Sequence, residues 1–199
     1  MVTEYKTISM PSEGLYKEKG SKFIAHAIPV KDLDSCKEEI SRIKQKYQDA
    51  RHHCFAYVLG ANSETVKYND DGEPSNTAGL PILRQIQSFD LSNIIVIVIR
   101  YFGGIKLGTG GLIQAYKTAT KEALEKALIV SKEITTTFII EFSYNQTTLV
   151  DRLIHNFQCE IIDKDYQTSC ILKFTGKEKN KTDIMNYLIQ NNIRLIQNT

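Results

Sequence analysis

The sequence predicts an α+β protein of two domains, and three observations carry the prediction. The run Ile94-Ile95-Val96-Ile97-Val98-Ile99 has no polar break and leads into a glycine-rich loop and an amphipathic helix. Such a run suits a strand buried on both faces in the middle of a sheet. Beyond residue 131 the segments follow the order β-α-β-β-α-β, that of a ferredoxin-like split βαβ sandwich. The 199 residues, 42% apolar and 24% charged, suffice for one large or two small packed domains. The domains are therefore expected at residues 1–131 and 132–199.

In chain order, residues 4–10 read as a first strand, and Glu13 to Ser21, with Gly14 and Gly20, as a turn or hairpin. Lys22 to Val30 is a second strand, with Phe23, Ala25 and Ala27 on one face and Ile24, His26 and Ile28 on the other. Pro29 ends it or marks an edge. His26 reads as an ordinary strand histidine against solvent or a carbonyl. Asp32 or Asp34 caps a helix running to about Gln48, with Leu33, Cys36, Ile40, Ile43 and Tyr47 on its apolar stripe. Arg51 to Cys54 leads into the strand FAYVLG. Alternation points His52 and His53 to opposite sides, which is poor zinc-ligand spacing. His52 is instead expected to hydrogen-bond near the functional loops. Residues 64–69 form its hairpin partner after a turn at 61–63.

Two segments concentrate chemistry. The first is Asp70 to Gly79, with Asp70, Asp71 and Glu73 beside Gly72 and Pro74, which must be a surface loop. Ser75 or Asn76 is expected to cap the next helix, which turns Leu80, Leu83, Ile86 and Phe89 inward. The loop suits a divalent-cation site or an acid–base pair. It equally suits a solvated turn whose carboxylates favour the helix N-terminus or pair with Arg100 and Lys106. The second segment follows the buried strand. Five of the 11 glycines (Gly103, Gly104, Gly108, Gly110 and Gly111) fall within nine residues. From Leu91 to Lys121 there is no acid, while Arg100, Lys106, Lys117 and Lys121 are cationic. A glycine loop opening a helix, here from about Thr109 to Leu128, presents free amides and a positive dipole end to an anion. The spacing fits neither the Walker A pattern, since Thr109 and Gly110 follow Gly108, nor G-x-G-x-x-G, since residue 113 is Ile. The same glycines also suit tight turns and close helix packing.

The second domain reads as a strand at 133–142, a helix from Asn145 to Phe157, strands at 159–165 and 169–175 joined by a tight turn, a helix from Asp183 to Asn191, and a strand at 193–197. It carries no carboxylate pair, histidine cluster or glycine loop. Cys159 and Cys170 are expected as free thiols facing each other across the hairpin.

Composition narrows the partners. The net charge is +2, with 17 basic and 15 acidic residues before position 132 and 8 of each after it. Any nucleic-acid surface must therefore be a local patch. No apolar run approaches the ~18 residues of a transmembrane helix, so no membrane partner is expected. The start MVTEYKTISM lacks a signal-peptide layout, and the four cysteines form no C-x-x-C pair. A cytoplasmic setting is the expectation. No Ser-His-Asp or Cys-His spacing marks a catalytic site.

The motifs D-D-G-E-P-S-x-T-A-G from Asp70 to Gly79, P-I-L at Pro81 to Leu83, R-Y-F-G-G-I-K-L-G-x-G-G-L from Arg100 to Leu112 and A-Y at Ala115-Tyr116 strongly resemble the IMPACT/YigZ family. K-G-S-K-F at Lys19 to Phe23 and H-x-C-x-A-Y at His52 to Tyr57 match as well. One departure is Asn76, where the family usually has Gly; Asn tolerates positive φ better than most residues. The resemblance implies a first domain like domain IV of elongation factor G, a second like domain V of that factor, and a link to translation.

From the resemblance and the residues together, the expectation is a non-enzymatic translation-linked regulator that binds RNA or a ribosome-associated partner. Arg100, Lys106, Lys117 and Lys121 meet phosphates, Tyr101 or Phe102 stacks on a base, and Gly103, Gly104, Gly108, Thr109, Gly110 and Gly111 let the backbone approach. Asp70, Asp71, Glu73, Thr77 and Gly79 complete the motif site, supported by His52. No cofactor and no resident metal is expected. The alternative is an enzyme acting on a phosphorylated small molecule or nucleotide, with Mg²⁺ held by the acidic loop.

Overall fold

The computed structural model describes residues 2–166 and 170–198. The chain divides into two compact units, residues 5–132 and residues 133–198 together with 2–4. The first unit opens with β1 (Glu4–Ile8) and the strands β2 (Ser12–Glu18) and β3 (Ser21–Pro29). Helix α1 (Leu33–Lys46) follows, then β4 (His52–Leu59), β5 (Thr65–Asn69), α2 (Gly79–Ser88), β6 (Ile94–Tyr101), α3 (Gly108–Glu125) and β7 (Ile129–Glu133). One antiparallel sheet has the order β2-β3-β6-β4-β5.

β6 is the middle strand, and its six apolar residues are fully buried. Ile94, Val96 and Val98 enter a core shared with α2 and α3. Ile95, Ile97 and Ile99 enter the core on the other face, under Cys36 and Ile43 of α1. The faces of β3 divide as alternation requires, with Phe23, Ala25 and Ala27 on the α2–α3 side. The alanine stripe of α3 lets that helix lie against the sheet: a Cβ on Gly14 of β2 would stand 2.4 Å from the Ala119 carbonyl oxygen. β2 and β3 join through Lys19 and Gly20, both at positive φ, the two-residue turn that suits strand twist.

Several local expectations change. Leu33 is exposed, and the packed stripe of α1 begins at Cys36. The helix is capped by Asp32, whose side chain accepts from the Ser35 amide at 2.8 Å. His26 is buried between two polar partners, with Nε2 3.0 Å from the Tyr47 hydroxyl and Nδ1 3.1 Å from Glu13. The stretch after α3 is a strand, since β7 pairs with β1. The strand expected at 133–142 is accordingly broken at Ile134.

The second unit consists of β8 (Thr135–Phe142), α4 (Thr147–Asn156), β9 (Glu160–Tyr166), β10 (Cys170–Lys177), α5 (Lys181–Gln190) and β11 (Arg194–Asn198). Its sheet has the order β11-β8-β10-β9, all antiparallel, which is the ferredoxin-like order. Phe138, Ile140, Leu172 and Phe174 pack with Val150, Leu153, Ile184 and Leu188 of the two helices. The turn expected between β9 and β10, at 167–169, lies outside the described residues. Cys170 stands opposite Tyr166, so it does not face Cys159; both are free thiols.

Candidate functional site

The acidic loop and the glycine loop meet above the α2–α3 face of the sheet. Alternation along β6 turns Arg100 to the same side as Val96 and Val98, directly over the Phe23 ring, whose centroid is 5.5 Å from the guanidinium carbon. There Arg100 Nη1 donates to Glu73 Oε1 at 2.6 Å, and both side chains are buried, at 7% and 4% exposure. The Tyr116 hydroxyl donates to the same carboxylate oxygen at 2.8 Å. Behind it, Cys54 Sγ lies 3.3 Å from the Tyr116 oxygen and 3.0 Å from the Asp70 carbonyl oxygen. Burial raises the pKa of both the Tyr116 hydroxyl and the Cys54 thiol, and nearby Glu73 raises both further. A buried, protonated thiol is not a nucleophile.

Arg100 is therefore buried and not a surface cation. Its charge is met within the protein by the acidic loop, one of the readings that loop allowed. Of its three nitrogens only Nη1 has a protein acceptor among the described residues, and Nε is buried without one.

The other acidic residues point away from the glycine loop. Asp70 Oδ1 accepts from the amides of Ala78 and Gly79 at 3.0 and 2.8 Å, and Oδ2 from that of Asn76 at 2.8 Å. Asp70, rather than Ser75 or Asn76, thus caps α2, because the loop folds back over the helix start. Asn76 takes φ 63°, the left-handed conformation expected where the family carries Gly. Asp71 Oδ2 accepts from the His53 amide at 2.7 Å, and Oδ1 lies 3.3 Å from Lys44 Nζ. His52 Nδ1 is 2.9 Å from the Asp71 carbonyl oxygen, so the histidine holds the loop backbone. Thr77, buried, donates to the Pro74 carbonyl at 2.6 Å. Gly79 is pressed so close to the Asn69 backbone that a Cβ would stand 2.8 Å from it. Among the described residues no group of three ligating side chains is placed to hold a metal ion.

The glycine loop divides into two parts. Gly103 crosses the β2–β3 turn: its amide donates to Ser21 Oγ at 3.1 Å, and a Cβ there would stand 1.9 Å from the Gly20 carbonyl carbon. This crossing links the K-G-S-K-F segment to the loop. Gly104, Gly108 and Gly110 have open space where a Cβ would be; the first two need glycine for positive φ, and Gly110 does not. Gly111 sits against Leu107. α3 begins here with no side-chain cap and no acid in its first turn, which leaves amides for an outside acceptor.

Around this start, Lys106, Gly108, Thr109 and Gly110 are exposed. Phe102 and Ile105 are 55% and 57% exposed. The Arg100 guanidinium carbon stands 5.6 Å from the Phe102 ring centroid. A pocket of about 350 Å³ is lined by Glu73, Pro74, Arg100, Phe102, Lys106, Leu107, Gly108, Thr109 and Leu112. On the other side of Arg100 and Phe102 a second pocket, about 280 Å³, is lined by Asp49, Ala50, Arg51, His52 and Tyr101. Tyr101 itself faces the α1 side and donates to Asp49 at 2.8 Å. Lys117 is exposed further along α3, and Lys121 pairs with Glu125 at 3.4 Å.

Sequence reasoning missed the roles of Tyr116 and Cys54, which helical and strand spacing marks only as core. It also missed Leu107 and Pro74 as pocket walls. No local signal distinguishes these from ordinary packing residues.

The Impact N-terminal domain family model matches residues 19–124. The chain is 36% identical over 157 residues to the IMPACT family member YigZ of Escherichia coli (strain K12), covering 78% of this chain and 77% of that protein. It is 40% identical over 134 residues to the IMPACT family member YvyE of Bacillus subtilis (strain 168), covering 67% and 62%. A crystal structure described as that of a hypothetical protein superposes with a TM-score of 0.77 at 30% identity, covering 98% of this chain and 97% of that one.

Proposed function

The chain belongs to the IMPACT family, and we propose that it is a non-enzymatic, translation-linked regulator that binds RNA or a ribosome-associated partner through the glycine-rich loop of its first unit. The family resemblance supports the link to translation. The observation that carries the binding reading is the uncapped start of α3, flanked by exposed Phe102, Ile105 and Lys106 and by glycines with open space beside them. Backbone amides, a cation and an apolar ring side by side suit a phosphate-bearing strand. The acidic loop serves as scaffold: Asp70, Asp71 and Glu73 each already accept from protein donors. That favours binding over the Mg²⁺-dependent reading. No helix among the described residues is long and apolar enough to cross a membrane, and four free thiols accord with a reducing cytoplasm.

The test is binding of single-stranded RNA across a salt series. Affinity should fall steeply with salt, and Lys106→Ala with Lys117→Ala should weaken it and flatten the salt slope by about 1 per lost contact. These two lysines are preferred to Arg100, whose removal strands Glu73. RNA that fails to bind at low salt refutes the RNA reading. A pull-down that retains its protein partner after nuclease treatment selects the ribosome-associated partner instead.

A further inference from the structure

We infer that the pocket at the start of α3 is a seat for one nucleotide unit, a phosphate joined to a planar base, supplied by single-stranded RNA; this rests on the RNA reading above. Two independent features converge there. The first is the uncapped helix start, whose first turn holds Gly108, Thr109, Gly110 and Gly111 without an acid or a capping side chain. The second is the incompletely paired guanidinium of Arg100. Glu73 occupies Nη1 only, and the Nε–Nη2 edge of a side chain that is 93% buried has no protein acceptor among the described residues. Nε is closed to solvent, so the nitrogen left for a phosphate oxygen is Nη2, as a single donor group rather than a two-pronged fork. Arg100 lines the same pocket as Gly108, Thr109 and Lys106.

Gly110 strengthens the assignment. It lies in the helix with an ordinary φ, and nothing comes within 4 Å of the place a Cβ would take. Neither backbone conformation nor protein packing requires a glycine there, whereas close approach of a ligand to the first-turn amides does. Phe102 supplies the second half of the seat. Its ring is held by the Arg100 guanidinium yet is more than half exposed, at the mouth of the pocket. A base stacked on it is within reach of the phosphate position. Glu73 lines the same pocket, but its near oxygen is engaged by Arg100 Nη1 and the Tyr116 hydroxyl, so the Arg100–Glu73 pair brings no net charge and the positive contribution comes from Lys106 and the start of α3.

The experiment compares the full chain with Gly110→Asp and Phe102→Ala, using a short single-stranded RNA and adenosine 5′-monophosphate as probes. Asp at the first turn fits the open space and suits the helix dipole, so this variant should melt no lower than the parent. Each variant should nevertheless lose about tenfold or more in RNA affinity. In the parent, the nucleotide should shift the amide resonances of residues 108–111, and in Gly110→Asp it should not. Binding of the nucleotide with this sensitivity, without binding of RNA, keeps the seat and overturns RNA as the source. RNA binding unaffected by either variant but lost in Lys106→Ala with Lys117→Ala overturns the seat while the RNA reading stands. Failure of both probes to bind overturns both.

Discussion

Replacing Glu73 by Ala should be among the most damaging single changes in the first unit. The carboxylate is 4% exposed and accepts from Arg100 at 2.6 Å and from Tyr116 at 2.8 Å. Its loss leaves a guanidinium that is 7% exposed without a counter-charge and a fully buried hydroxyl without an acceptor. Breaking a buried pair by removing one partner costs about 3–5 kcal/mol, most of it the penalty of the stranded charge. Removing both charges avoids that penalty. Glu73→Leu combined with Arg100→Met should therefore cost less than the two single changes added together, with a coupling energy of about 1–3 kcal/mol. Urea denaturation followed by hydrogen exchange at β6 and α3 reads the first unit separately from the second. Single changes costing under about 1 kcal/mol, or a double variant whose cost equals the sum of the singles, would refute the account of this network.

Asp70→Ala should destabilise the first unit by about 1–2 kcal/mol and speed exchange of the Ala78 and Gly79 amides, since three amide donors lose one acceptor. Gly103→Ala and Gly110→Ala should differ in sign. The first drives a Cβ into the Gly20–Ser21 backbone and should cost about 3 kcal/mol or more; the second removes backbone freedom at an open helical position and should add about 0.5–1 kcal/mol in thermal unfolding. Burial lowers the His26 pKa below 6.5, with Glu13 opposing the shift. The unfolded chain therefore binds this proton more readily, so the contribution of His26 to stability is complete above pH 6.5 and lost as pH falls through the folded pKa. Comparing His26→Gln with the parent between pH 7 and 5 (~2 units spanning the transition) should show a smaller loss of stability in the variant.

Much of the fold is legible because burial leaves a local trace. Six β-branched residues from Ile94 to Ile99 have no polar break, and a strand of that kind must be covered on both sides. The alternation of β3 and the order of the second unit are equally local patterns. The motif glycines and carboxylates were legible as surface loops because loops rich in both cannot be core. Their division of labour was not. Three carboxylates within four residues look equivalent along the chain, yet Asp70 caps α2, Asp71 ties the loop to β4, and Glu73 meets Arg100.

The sequence by itself determined where the motif residues gather: at the C-terminal end of a doubly buried strand, in a glycine loop beside an acidic one. Only the tertiary structure decided what each group there is free to do. Arg100 and Glu73 are 27 positions apart, and their pairing follows from the face on which alternation puts Arg100 and from a loop turned by Asp71 and Asn76 at positive φ. A charge read from sequence is therefore only nominal. Its partners, set by the fold, determine that Arg100 is committed to Glu73 while Lys106 and the start of α3 stay open to solvent.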